Sequence, residues 1–379
     1  MKLTSPSFDE SELALLRECL SSGWVTQGPL TQQFEQLVAA RHAATHAIAT
    51  TSCTAALHLA VMALGLGPGD EVIVPAFTWV TSANCAEYVG ARPVLADIDL
   101  ATYNLDPDAF AAAITPRTRA VVVVHLFGLA ADMGPILKIA EQHGIAVIED
   151  AACAIGTTWK GKPVGVLGDV GCLSFHPRKI VTTGEGGMVL TDRDDLAASM
   201  RSLRNHGSTG LPTADNEPQG PWTMATFDRV GFNLRLSDIQ AAVGVAQMAK
   251  LDRLLTERRG RAERYSRLLG GVQELALPDR AGDVSGHTYQ SYVVRLADGG
   301  RRRRNAVMSA LAKRSIETRP GTHAVHRLGF YAQKYGYRPD DFPNAVRGEH
   351  TTITLPIFPG MSDADQDEVV TALTDALRS

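Results

Sequence analysis

Lys179 is the residue best placed to do chemistry. It lies in Ser174-Phe175-His176-Pro177-Arg178-Lys179-Ile180-Val181-Thr182-Thr183-Gly184-Glu185-Gly186-Gly187. There a short apolar strand ends, a loop carries the lysine, and glycines lead into another strand. A loop amine at a strand's carboxyl end is positioned to form a Schiff base with a carbonyl. It reacts only after losing its proton, which a tuned lysine does readily. A lone loop lysine is ordinarily just solvated, so its neighbours decide its meaning.

Three further features sit at similar strand ends. Asp150 closes the run Ile145 to Asp150. A carboxylate there can hold the protonated pyridine nitrogen of pyridoxal phosphate and make the ring an electron sink. It can equally cap a helix beginning at Ala151. Thr51-Ser52-Cys53-Thr54 precedes the helical run Ala55 to Leu64. Hydroxyls and free backbone N–H groups at a helix start bind anions such as phosphate, or simply cap the helix. Trp79, just past Glu71 to Pro75, can stack on a flat ring or fill the core.

These residues need a scaffold of strands alternating with helices. Glu71 to Pro75, Pro93 to Ala96, Ala120 to Val124, Ile145 to Asp150, Gly171 to Phe175 and Gly187 to Thr191 read as strands. The unbroken apolar run Ala120 to Val124 suits a strand covered on both faces. Alternation with helices predicts a mainly parallel α/β sheet, whose ligands bind at the carboxyl ends of the strands. Phe8 to Ser21 reads as a helix with Leu13, Leu16 and Leu20 on one face. Ser237 to Leu269 reads as one long helix or two abutting ones. Beyond it, Tyr289 to Leu296 reads as a strand, and Asn305 to Arg314 and Met361 to Arg378 as helices. The texture change near Lys250 divides the chain into a large domain, 1–250, and a smaller α+β domain, 251–379.

The bulk properties exclude several classes. A net charge of −4 gives no basic surface for nucleic acid. Five cysteines without a CxxC pair suggest neither a disulfide framework nor a cysteine zinc site. His323 and His326 lack acidic or cysteine partners at ligand spacing, so no metal is expected. Met1 to Leu20 has no signal-peptide pattern, and no apolar run reaches membrane-spanning length. A cytoplasmic protein with no membrane partner is the expectation.

Taken together, the motifs resemble the sugar aminotransferases of the DegT/DnrJ/StrS type, a branch of fold-type I pyridoxal-phosphate enzymes. The resemblance runs from Gly23-Trp24-Val25-Thr26-Gln27-Gly28-Pro29 to Leu355-Pro356-Ile357. Its most specific matches are Ile148-Glu149-Asp150-Ala151-Ala152, the Lys179 segment, and Gly231-Phe232-Asn233-Leu234-Arg235 with Gln240-Ala241-Ala242. The resemblance implies that Lys179 carries the cofactor and shuttles the proton, Asp150 pairs with the ring nitrogen, and Trp79 stacks on the ring. It implies that Ser174, Ser52 and Thr54 bind the phosphate, and that Asn233 reaches that phosphate from the neighbouring subunit of a homodimer. Cys53 and Cys153 fall beside the cofactor. Cys153 stands where the family usually has Gln or His, and Cys53 where many members have Gly; a thiol is the weaker hydrogen-bond partner. His176 and Glu185 flank the lysine, where loop ordering competes with a direct role.

Toward the substrate, the candidates are Thr26, Glu185, Arg319, His323 and His326, with His326 suited to hydrogen-bonding substrate or backbone. The loop Arg319 to His326 lacks the His-Tyr-x-Pro-x-His pattern of many members. Arg319 suits a phosphate or carboxylate, or a surface ion pair. Arg301-Arg302-Arg303-Arg304 opens a helix, where cations oppose the dipole. The run reads as an anion site, for a nucleotide diphosphate for instance, or as a solvated turn. The expected reaction is a ping-pong transfer from glutamate to a nucleotide-linked keto-sugar. A keto-cyclitol acceptor, with glutamine or glutamate as donor, is the alternative. Lys179 argues against the related sugar dehydratases, which carry histidine there. A non-enzymatic sensor on this scaffold is disfavoured by the intact Asp150, Lys179 and Ser174.

Overall fold

The computed structural model describes residues 1–211, 220–278 and 286–378. Its centre is a seven-stranded sheet made of β1 (His46–Thr50), β2 (Glu71–Pro75), β3 (Arg92–Ala96), β4 (Thr118–Val124), β5 (Ala146–Asp150), β6 (Val170–Ser174) and β7 (Gly187–Thr191). The spatial order is β1-β7-β6-β5-β4-β2-β3. Pairings among β2 to β6 are parallel, and β7 alone runs against both its neighbours. Val121, Val122 and Val123 of β4 are fully buried, as a strand covered on both faces requires. Register aligns Val124, Asp150 and Cys172 across β4, β5 and β6. The carboxyl ends of the central strands therefore open on one side of the sheet, which is where ligands bind in this architecture.

Helix α1 (Glu10–Ser22) departs from expectation. Leu13 and Leu20 are 54% and 61% exposed, and Glu12 and Cys19 are buried instead. Glu12 makes an ion pair with Lys250 at 2.5 Å and accepts from Gln247 at 2.6 Å. Polar pairing, not the leucine stripe, turns the helix toward the body. Helix α2 (Cys53–Ala63) begins at the end of β1, and α3 (Thr81–Tyr88) follows Trp79. The 237–269 stretch is two abutting helices, α4 (Asp238–Ala249) and α5 (Leu251–Leu269), joined at Lys250. Ser237 and Gln240 close a capping box at the start of α4.

After α5 the chain builds a small antiparallel sheet of β8 (Leu275–Ala276), β9 (Tyr292–Leu296) and β10 (Thr352–Leu355). It packs with α6 (Gly300–Lys313) and the Asp363–Arg378 helix around its own apolar cluster. Helix α6 starts at Gly300, ahead of the expected Asn305. The first residues of the chain join this C-terminal unit, since Glu317 N donates to Met1 O and Ile357 N to Leu3 O. Residues His323–Ala324 pair with Phe77–Thr78 and fasten the C-terminal unit beside Trp79. Among the described residues, no helix is long and apolar enough to cross a membrane, and no group of three or more His, Cys, Asp or Glu is poised to hold a metal.

Candidate active site

At the carboxyl ends of β4, β5 and β6 lies a cavity of about 430 Å³. Its lining includes Ser52, Cys53, Thr54, Trp79, Asp150, Cys153, Ser174, His176, Lys179, Glu185 and Arg319. Residues far apart along the chain thus meet in one place.

Asp150 is buried at the end of β5. The Ser82 hydroxyl donates to its Oδ2 at 2.7 Å and the Ala152 N–H to its Oδ1 at 3.2 Å. Thr78 Oγ1 lies 3.1 Å behind Ser82. No helix follows Asp150; residues 151–157 form turns. The helix-cap reading of this carboxylate therefore fails, and it faces the cavity.

Lys179 is held in a tight turn, its N–H donating to His176 O at 2.8 Å. Gln290 secures the loop from the C-terminal side. Its Oε1 accepts from Ile180 N at 3.1 Å, and its Nε2 donates to Arg178 O at 2.5 Å. The amine donates to Cys153 Sγ at 3.1 Å. Burial by itself pushes this amine's pKa down. The Cys153 sulfur, with Asp150 beyond it, outweighs burial and holds the ammonium above the ordinary lysine value. Burial likewise pushes the Cys53 thiol well up, so Cys53 stays neutral beside Asp150. His176, whose Nδ1 accepts from Arg178 N at 3.2 Å, is pushed down by burial.

The rest of the lining is set by local structure. Ser52 caps α2, accepting from Ala55 N at 3.1 Å, so its hydroxyl hydrogen is free for an anion. Gly187 passes so close to this helix start that a Cβ would lie 2.4 Å from Ser52 C and 2.6 Å from Cys53 N. Only glycine lets β7 press against the phosphate-type corner. Trp79 is half exposed, with its ring 5.6 Å from that of His323.

The model of the DegT/DnrJ/EryC1/StrS aminotransferase family matches residues 6–374. The chain belongs to this family. It is 40% identical over 378 residues to GDP-perosamine synthase of Caulobacter vibrioides, covering 100% of this chain and 98% of that protein. It is 39% identical over 375 residues to the spore coat polysaccharide biosynthesis protein SpsC of Bacillus subtilis, covering 98% and 96%. The fold superposes with a TM-score of 0.95 on Spr1654 from Streptococcus pneumoniae in its PMP form, at 27% identity over 100% of this chain and 99% of that one. Spr1654 is also solved in a PLP form. The chain is a pyridoxal-phosphate-dependent aminotransferase.

The lining of this aminotransferase fits that cofactor. A single amine, a carboxylate, an indole face and hydroxyls at a helix start share one cavity. Not every candidate joins them. His326 is fully buried, with Nε2 3.0 Å from Pro339 O and its ring against Phe342. It does not reach the cavity, because packing beneath Phe342 encloses it. Thr26 is exposed outside the cavity and accepts from Asp238 N through its carbonyl. His323 lines an adjoining cavity. Asn233 is exposed, outside its own chain's cavity, although Leu234 O beside it accepts from Thr51 N at 3.1 Å. Ser82, Thr78 and Gln290 enter the site without any sequence signal. Ser82 and Gln290 are ordinary polar residues whose partners, Asp150 and the Lys179 loop, are distant in sequence, and Thr78 joins through Ser82.

Proposed function

We propose that this aminotransferase moves an amino group from glutamate to the ketone of a nucleotide-linked keto-sugar. The observation that carries the reading is the convergence of Lys179 Nζ and the Asp150 carboxylate on one cavity roofed by the C-terminal unit. The names of the relatives, a GDP-perosamine synthase and a spore coat polysaccharide protein, favour a sugar acceptor over a cyclitol.

Pyridoxal phosphate, when bound, supplies the electron sink for cleaving a C–H bond. The protein's part is positional and protolytic. Lys179 Nζ carries the cofactor and, once freed, moves a proton between carbons as a general base and acid. Asp150 holds the ring nitrogen protonated, and its own orientation comes from Ser82 and Ala152. Trp79 covers the ring, while Ser52, Thr54 and Ser174 offer hydroxyls to the phosphate. Cys53, Cys153 and His176 border the cofactor, and Glu185 and Arg319 face the acceptor.

Asn233 serves the neighbouring subunit of a homodimer. In the segment before it, Trp222, Met224, Phe227 and Val230 are exposed, and exposed apolar side chains of this kind are ones that partners cover. A monomeric mass for the cofactor-loaded protein in solution would defeat the dimer.

The direct test is single turnover. The protein is loaded with pyridoxamine phosphate and offered keto-sugar nucleotides and keto-cyclitols in separate reactions. Rapid loss of the pyridoxamine absorbance with a keto-sugar nucleotide is expected, and no loss with Lys179→Ala. Discharge by keto-cyclitols alone would replace the sugar reading.

A further inference from the structure

The chain has five cysteines, and four of them are placed where a thiol stays inert. Cys19, Cys85 and Cys172 are buried. Cys85 Sγ lies 3.2 Å from Ser82 O and Cys19 Sγ 3.4 Å from Trp24 O. Cys53 Sγ lies 4.0 Å from the Asp150 carboxylate. Burial is the largest influence on these four thiols and pushes each one up, away from the thiolate that oxidants attack. Cys153 is placed differently. It is half-buried and lines the Lys179 cavity, and its sulfur accepts from the Lys179 amine at 3.1 Å.

Neither partner of that contact is loosely held. Cys153 lies in a turn over 151–154, closed by Ala154 N donating to Ala151 O at 2.9 Å, and both alanines are buried. Lys179 lies in its own turn, clamped by Gln290. Two anchored turns, with the two residues 26 positions apart, thus hold a sulfur against an amine inside a cavity of about 430 Å³, which is ample for a small oxidant. The aminotransfer proposed above uses the amine and gives the thiol no task. The family usually carries Gln or His at this position, and neither supplies a sulfur.

We propose that Cys153 and Lys179 form a reversible oxidative cross-link that withdraws the cofactor-carrying amine. The oxidant is a peroxide. In its thiolate form, the reactive one, the Cys153 sulfur attacks one peroxide oxygen. The O–O bond breaks, the peroxide is reduced, and the sulfur is oxidised by two electrons to a sulfenic acid. The Lys179 ammonium gives a proton to the departing hydroxide, which leaves as water, and the lysine becomes a neutral amine. That amine attacks the sulfenic sulfur. An S–N bond forms, the S–O bond breaks, and the hydroxyl leaves as water with a proton from the amine. The product is a sulfenamide, as when a backbone nitrogen condenses with a sulfenic acid. Two equivalents of a small thiol reverse it. The first attacks the sulfur and releases the amine, and the second displaces the resulting mixed disulfide and leaves the reductant oxidised. The switch rests on Lys179 as the cofactor's amine. It acts while that amine is free, in the apoprotein and with pyridoxamine phosphate bound, and pyridoxal phosphate protects by engaging the amine.

The test treats the full-length protein with hydrogen peroxide as apoprotein, loaded with pyridoxamine phosphate, and loaded with pyridoxal phosphate. Digestion without reductant and mass spectrometry should give a linked Cys153–Lys179 peptide pair, two hydrogens lighter than the free peptides, in the first two states and not in the third. The oxidised apoprotein should lose the ability to develop the visible absorbance of captured pyridoxal phosphate, and dithiothreitol should restore it. Cys153→Ser should give no link and should capture the cofactor equally before and after peroxide. Cys53→Ala should link as wild type does. Capture before peroxide verifies that each variant is folded. Cys153 found unmodified, only as a sulfinic acid, or in a disulfide with Cys53 would overturn the cross-link. Equal loss of capture by Cys153→Ser would overturn the switch and leave Lys179 as the carrier. A link that forms as fully with pyridoxal phosphate bound would remove Lys179 as the cofactor's amine, and the switch with it.

Discussion

The two faces of β5 treat adjacent carboxylates in opposite ways. Glu149, turned away from the cavity, is fully buried and saturated. It accepts from Gly165 N, Leu167 N and Gly168 N at 2.6–2.8 Å and lies 2.8 Å from His125 Nε2. Because His125 Nδ1 accepts from Ala131 N, Nε2 is the donor. Burial pushes the Glu149 carboxyl up, but His125 and the amides outweigh it and hold the pKa low. Asp150, one residue on, has a hydroxyl, one amide N–H and the Cys53 thiol at 4.0 Å, and faces the open cavity. A carboxylate with every lone pair engaged fixes a loop; one steadied by a hydroxyl, an amide and a long thiol contact keeps capacity for a ligand.

The contrast can be broken at either residue. Asp150→Asn should act on chemistry, lowering kcat by about 10²–10³-fold, as when a preorganised electrostatic partner is removed. Its urea midpoint should hardly move, because the amide oxygen still accepts from Ala152 N while its NH2 donates to the Ser82 hydroxyl, which can turn its hydrogen to Thr78 Oγ1. Full-rate turnover by the Asp150→Asn variant would show that the carboxylate's charge is not needed. Glu149→Gln should do the reverse. An amide donor meets amide donors in a dry pocket, and stability should fall by roughly 3–5 kcal/mol, read as a lower urea midpoint. Turnover per folded, loaded molecule should persist. Unchanged stability would mean that the Gly165–Gly168 loop is held by something else.

The smallest effect is expected at Cys153. Its sulfur holds the Lys179 ammonium above the ordinary lysine pKa, while burial alone pushes it down. Cofactor capture consumes the unprotonated amine, so its rate rises with pH toward that raised pKa. Cys153→Ala leaves burial as the larger influence and should move the rate profile toward lower pH. Stopped-flow absorbance of pyridoxal phosphate binding to the apoprotein reads this directly. A superimposable profile would remove Cys153 from the control of Lys179.

Much of the scaffold was legible because local patterns encode local structure. The apolar runs ending at Val124 and Asp150 are strands where expected, and Ser237 with Gln240 starts a helix with its own capping box. The Leu13 and Leu20 stripe misled, since a helical pattern cannot say which face finds a partner. The pairing of Glu12 with Lys250 joins residues 238 positions apart and is invisible locally. The sequence left His326 between a substrate and a backbone partner; the fold buries it and gives it the backbone one, Pro339 O.

By itself the sequence pointed to Lys179 and to Asp150 at the end of β5, and determined the strand and helix order and the family. These depend on residue type, short-range backbone preference and motif spacing. Only the tertiary structure decided what Asp150 faces, that Ser82 steadies it from 68 residues away, that Gln290 clamps the lysine loop from beyond α5, and that four arginines share one hollow. Such contacts depend on how separate elements pack against one another, and hydrogen bonding and charge act through space rather than along the chain.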